Sequence, residues 1–126
     1  MYNMYSKIKE FLFILAMFLI IDMIWLKFYM KDIYVKLVKD IQGEEMKIKI
    51  YGALLVYIFM TILLLKFRNN NILDMFLLGL LTYGIYDFTN YAIFTKFDFK
   101  TALIDMIWGG VLFTLVAKLT KTAKLE

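Results

Sequence analysis

Three aspartates and two tryptophans carry most of the chemistry that this sequence can offer. The segment Ile21-Asp22-Met23-Ile24-Trp25 recurs letter for letter as Ile104-Asp105-Met106-Ile107-Trp108. In both copies Asp and Trp stand three apart, a spacing that puts two side chains on one helix face. Another polar group, Tyr83, Tyr86, Asp87 and Asn90, is spaced i, i+3, i+4, i+7 and again shares a face. Carboxylates with hydroxyl, amide and indole neighbours can bind a proton or a cation, act as general acid and base, or lock helices in register. The rings of Trp25 and Trp108 can wall a pocket, stack on a cationic ligand, or serve as ordinary membrane-interface belt residues.

The absent residue types remove other chemistries. There is no Cys, His or Pro, hence no disulfide, thiol nucleophile, Cys or His zinc site, or His-based triad. Ser6 is the only serine and is expected in an N-terminal tail, so a buried serine nucleophile is excluded. The nine methionines read as flexible packing in lipid and not as a copper site. No metal site is assigned and no cofactor is expected, apart from a cation at the aspartates. Carboxylates with oxygen neighbours suit magnesium or calcium better than zinc.

The elements that position these residues follow from hydropathy. Of 126 residues, 63% are hydrophobic and 18% aromatic, against about 45–50% apolar in soluble domains, which places the chain in a membrane. Four apolar runs, Phe11 to Tyr29, Ile48 to Leu65, Ile72 to Phe94 and Ala102 to Ala117, approach the roughly 20 residues that cross a hydrocarbon core. Inside lipid each backbone N–H and C=O must be satisfied within its own segment, and the alternation of a barrel strand is missing. The expectation is an all-α, antiparallel four-helix transmembrane bundle, one integral membrane domain over residues 1–126. The first run follows Lys7 and Lys9 as a signal peptide would. It is too long, carries Asp22 and Trp25, lacks a small-residue cleavage pattern, and is expected to remain as a helix.

Between the first two spans, Met30, Ile33, Tyr34, Leu37, Val38 and Ile41 recur at helical spacing, with Lys31, Asp32, Lys36, Lys39 and Asp40 on the other face. This predicts an amphipathic interfacial helix stopped at Gly43, against the alternative of a solvated helix packed on nothing. Short connections at Lys66 to Asn71 and Thr95 to Thr101 make sequential helices antiparallel neighbours and put both termini on one side. Lys7, Lys9, Lys66, Arg68, Lys118, Lys121 and Lys124 lie on that terminal side, and eight further basic residues lie opposite. The totals are close, and the denser terminal-side segments favour cytoplasmic termini. The net charge of +4 suits anionic headgroups, while no segment builds a soluble basic face for nucleic acid.

In that topology the three acids share a depth. At 1.5 Å per residue, Asp22 and Asp87 lie about 10–12 Å inside the boundary opposite the termini, and Asp105 about 5–10 Å. The second helix enters at that level with Tyr51 and Gly52. A carboxylate among acyl chains costs about 2.5–3.5 kcal/mol at a helix centre, so the acids should face inward. Facing one another, three acids need a proton or a cation among them. Gly79, Gly84, Gly109 and Gly110 allow close helix approach, and Thr89 offers another neutral oxygen. Asp74 reads as a first-turn acid complementing a helix dipole.

The motifs D-x-x-W-L at Asp22 to Leu26, Y-D-x-T-N at Tyr86 to Asn90 and D-x-x-W-G at Asp105 to Gly109 resemble a family of small four-helix predicted membrane proteins, mainly bacterial and catalogued as a domain of unknown function. The resemblance implies a four-span membrane protein and brings no activity. From the residues themselves, the leading expectation is a protein that binds or transports a proton, a cation or a small cationic solute at Asp22, Asp87 and Asp105. Transport would need a homodimer or a partner membrane subunit to complete a route. The alternatives are an intramembrane lipid-modifying enzyme using carboxylates, and an accessory or assembly subunit without a ligand.

Overall fold

The computed structural model of the chain describes residues 4–123, which leaves Lys124 outside the described residues. Five helices make up that stretch: α1 (Met4–Trp25), α2 (Lys31–Gln42), α3 (Ile50–Phe67), α4 (Ile72–Ile93) and α5 (Phe99–Thr122). Four continuous helical runs, Met4–Gln42, Ile50–Phe67, Ile72–Ile93 and Phe99–Thr122, are long and apolar enough to cross a membrane. The protein is an all-α, four-helix membrane-spanning bundle with an added amphipathic helix.

Helix bounds differ from the hydropathy pattern at both ends of the chain. α1 begins at Met4 and not at Phe11, and α5 runs from Phe99 to Thr122 and not from Ala102 to Ala117. Polar side chains end an apolar run without ending a helix, because the intrahelical backbone bonds do not depend on them. Ser6 accordingly lies inside α1, half-buried, and not in a tail. The start of α5 is fixed by Asp98, whose Oδ2 accepts from the Thr101 amide at 2.9 Å while the Thr101 hydroxyl donates to Oδ1 at 2.7 Å. Partial burial pushes the Asp98 pKa upward, but the Thr101 hydrogen bonds outweigh it and hold the carboxyl below its usual range. Asn71 caps α4 in the same way, its Oδ1 accepting from the Leu73 amide at 2.9 Å.

α1 passes into α2 through Leu26–Met30, a π-helical turn. One added residue rotates everything beyond it by about 100°, so α2 presents a different face from a straight continuation of α1. α2 ends at Gly43 in the left-handed region, φ 76°, with its N–H donating to the Lys39 carbonyl. It is packed and not free: Leu37 is buried with Phe97 and Ala102, and Tyr34, Ile41 and Phe88 close around them.

α4 and α5 form the closest pair. A methyl group on Gly79 would sit 2.0 Å from the Gly109 carbonyl oxygen, so the two backbones touch where no other residue fits. α1 packs on both α5 and α3, which makes the first and last spans neighbours. Ile14, Phe18, Met60, Leu64, Leu112 and Phe113 fill the centre, with the Phe18 and Phe113 rings 4.9 Å apart. Large apolar side chains such as Leu12, Phe59, Leu81 and Ile85 are exposed, the reverse of a soluble domain and the surface that acyl chains would cover.

Candidate functional site

The repeated pentapeptide builds the site by reciprocal exchange. α1 and α5 run antiparallel, so the two copies of Asp-x-x-Trp face each other in opposite directions and the Trp of each serves the Asp of the other. Trp108 of α5 donates its indole N–H to Asp22 Oδ1 of α1 at 2.8 Å, and Trp25 of α1 donates to Asp105 Oδ1 of α5 at 3.1 Å. Between these cross-bonds the two indoles stack, with centroids 4.7 Å apart and planes 7° from parallel. Tyr29, one turn beyond Trp25, stacks on it at 4.6 Å. The tryptophans therefore join two helices, where belt residues would face the headgroups.

All three aspartates are buried. Asp22 also accepts from the Tyr57 hydroxyl of α3, and Tyr83 of α4 is a further hydrogen-bond neighbour. Asp105 and Asp87 share a donor: the Tyr34 hydroxyl of α2 lies 3.2 Å from Asp87 Oδ1 and 3.3 Å from Asp105 Oδ2. Both carboxyls lie within reach of that one phenol oxygen, which makes them close neighbours. Asp87 is fully buried, and its Oδ2 has no hydrogen-bond partner among the described residues. Every helix thus contributes to one polar layer: α1 with Asp22 and Trp25, α2 with Tyr34, α3 with Tyr57, α4 with Tyr83 and Asp87, and α5 with Asp105 and Trp108.

Other expected residues stand apart from this layer. Tyr86 is 57% exposed and Asn90 is half-buried, and neither makes a hydrogen bond to the three acids. Thr89 spends its hydroxyl on the Ile85 carbonyl at 2.5 Å. Tyr51 is 84% exposed and nothing approaches Gly52; the inward residue of α3 is Tyr57, two turns deeper. Asp74 lies in the first turn of α4 and accepts from Asn69 Nδ2 at 2.8 Å.

Two contributors to the layer, Tyr57 and Tyr34, and one buried acid away from it, Glu10, fall outside the sequence expectation. Tyr57 follows Ile50 by seven residues, about 10 Å along the helix, which is the depth assigned to Asp22 and Asp87 and a signal that could have found it. Tyr34 is the one hydroxyl on the apolar face of α2. Glu10 forms an ion pair with Arg68 at the terminal end of the bundle, its side chain buried. It stands one residue before the apolar run and so reads as a solvated flank.

The profile of a family described as "Predicted membrane protein (DUF2177)" matches residues 7–122, which includes all three motifs. The chain belongs to that family. No curated protein and no solved structure matches it.

What this arrangement can do follows from its donors and acceptors. Indole and phenol groups supply hydrogen bonds to the carboxylates but no positive charge, and the spans place no Lys or Arg in the layer. Among the described residues no group of three or more carboxylates is disposed to hold a metal ion.

Proposed function

We propose that the aspartate layer is a proton-binding site of an integral membrane protein, with the proton held between Asp87 and Asp105 and exchanged past Tyr34 toward the side opposite the termini. The observation that carries this reading is Asp87 Oδ2, buried without a donor among the described residues, on an acid that shares the Tyr34 hydroxyl with Asp105. Two carboxylates that share one phenol donor in an apolar layer repel and are poorly solvated, so a positive charge must accompany them. A proton is the cation that needs no cavity. The mutual stacking of Trp25 and Trp108 takes up the flat surface that a larger cationic solute would use, which favours the proton over the solute. Asp22, with Trp108, Tyr57 and Tyr83 around it, positions the layer.

Four helices enclose no continuous route, so net proton movement calls for a homodimer or a partner membrane subunit. The cytoplasmic placement of both termini belongs to the same proposal. Proteoliposomes carrying an internal pH dye test it: an imposed potential should acidify or alkalinise the lumen with wild-type protein. The Asp87→Asn variant, which matches the shape of a neutral acid but exchanges no proton, should reduce this to the protein-free rate. Wild-type flux above the protein-free rate that the Asp87→Asn variant retains in full would refute it.

A further inference from the structure

A second feature lies at the opposite, terminal end of the bundle. Arg68, Asn69, Asn70, Lys118 and Lys121 line a half-open cleft of about 280 Å³ where α3 ends, α4 begins and α5 finishes. The α4 N-terminus adds its positive dipole end. Lys121 Nζ lies 3.1 Å from Asn70 Oδ1, and among the described residues neither Lys118 nor Lys121 has a carboxylate partner. Arg68 is paired with Glu10 through Nη2, while its Nη1 is buried with no acceptor. Asp74, the nearest other acid in the sequence, is engaged by Asn69.

The cleft does not end at the polar groups. Ile72 and Thr114 are shared with an adjoining apolar groove of about 380 Å³, whose other walls are Leu73, Phe76, Val111 and Leu115. From Lys118 back to Val111 is seven residues of helix, about 10 Å toward the bilayer centre. A cationic cleft at headgroup depth thus continues into an apolar groove on the outer face of α4 and α5.

We infer that this composite surface is a binding site for one anionic phospholipid, with the phosphate on Lys118, Lys121 and Arg68 and an acyl chain along the groove. Free phosphate shares the headgroup chemistry, but the groove gives it nothing. A zwitterionic lipid shares the chain but carries a compensating cation into a cleft where Lys118 and Lys121 already stand without carboxylate partners among the described residues. The inference is independent of the aspartate layer.

Native mass spectrometry of the full chain, released from zwitterionic detergent, tests it with phosphatidylglycerol and phosphatidylcholine of identical chains. Phosphatidylglycerol should be retained in preference. The double variant Lys118→Gln, Lys121→Gln should weaken that retention on the order of tenfold to thirtyfold, as expected for two basic groups at a membrane surface. Leu115→Trp, a lipid-facing change that fills the groove, should lower retention of phosphatidylglycerol while leaving both lysines in place. Excess inorganic phosphate should not displace the lipid. Equal retention of the two lipids, a preference that survives the double variant, or displacement by inorganic phosphate would each overturn the inference.

Discussion

Replacing Trp108 with Phe removes one indole N–H and keeps a ring in the stack, which isolates the cross-bond to Asp22. The bond is 2.8 Å long and its acceptor is buried. Leaving a buried acceptor unsatisfied costs about 1–3 kcal/mol, although interhelical polar contacts in membranes average only about 0.6 kcal/mol and reach about 1.7. The smaller ring forfeits part of the roughly 0.5–1.5 kcal/mol of a stacked aromatic pair. Asp22 keeps Tyr57 as a donor, which limits the loss. The expected net is about 2 kcal/mol of destabilisation for Trp108→Phe, a fall of about thirtyfold in the folded-to-unfolded ratio. It is read by reversible unfolding in mixed micelles with far-UV circular dichroism, each protein being referred to its own folded and unfolded baselines because the stacked indoles contribute to the folded signal. A double-mutant cycle with Asp22→Asn should show a coupling of about 1 kcal/mol. Trp25→Phe should cost less, because its bond is longer and Asp105 retains Tyr34. A loss below about 0.3 kcal/mol with no coupling, within the usual error of additivity, would refute the reciprocal pairing as a source of stability.

Gly79→Ala should destabilise the bundle by about 1–3 kcal/mol or more, because its methyl meets backbone and cannot be relieved by a rotamer change; the same unfolding assay reads it, with Gly52→Ala, which meets nothing, as the neutral control. Glu10→Gln should cost up to about 3–5 kcal/mol by stranding the largely buried Arg68, and adding Arg68→Gln should recover part of it. Asp98 has a depressed pKa in the folded state, so its contribution is present above the unfolded value of about 3.9 and is lost as pH falls through the folded value. The stability difference between wild type and Asp98→Asn should therefore shrink on acidification below about pH 4, as followed by thermal unfolding; a difference that grows would contradict the cap geometry.

Hydropathy and length made the four spans legible, because a membrane leaves few backbone options, and the amphipathic period of α2 was equally plain. Depth arithmetic placed Asp22, Asp87 and Asp105 in one layer, since each stands a countable number of residues from a span end. The same arithmetic applied to hydroxyls would have selected Tyr57 over Tyr51. Partner choice was not legible. That Trp25 serves Asp105 and Trp108 serves Asp22 depends on which helices are neighbours, and α1 and α5 are the most distant spans along the chain. Tyr34 reaches the layer from α2, beyond the π-helical turn at Leu26–Met30, and no local pattern announces that turn. Tyr86 and Asn90 share a helical face with Asp87 by spacing, yet a helix face wide enough to hold i to i+7 extends past the core, and these two fall on its outer edge.

The central claim is that Asp87 and Asp105 hold one proton between them in a buried layer. Infrared difference spectroscopy of the reconstituted protein, titrated in deuterated buffer, observes that proton through the C=O stretch of a protonated carboxyl. Such a band is expected near neutral pH in wild type, with its loss in Asp87→Asn and its alteration in Tyr34→Phe, where the shared phenol donor is gone. A spectrum with no protonated carboxyl at neutral pH, or a band unchanged in both variants, would contradict it.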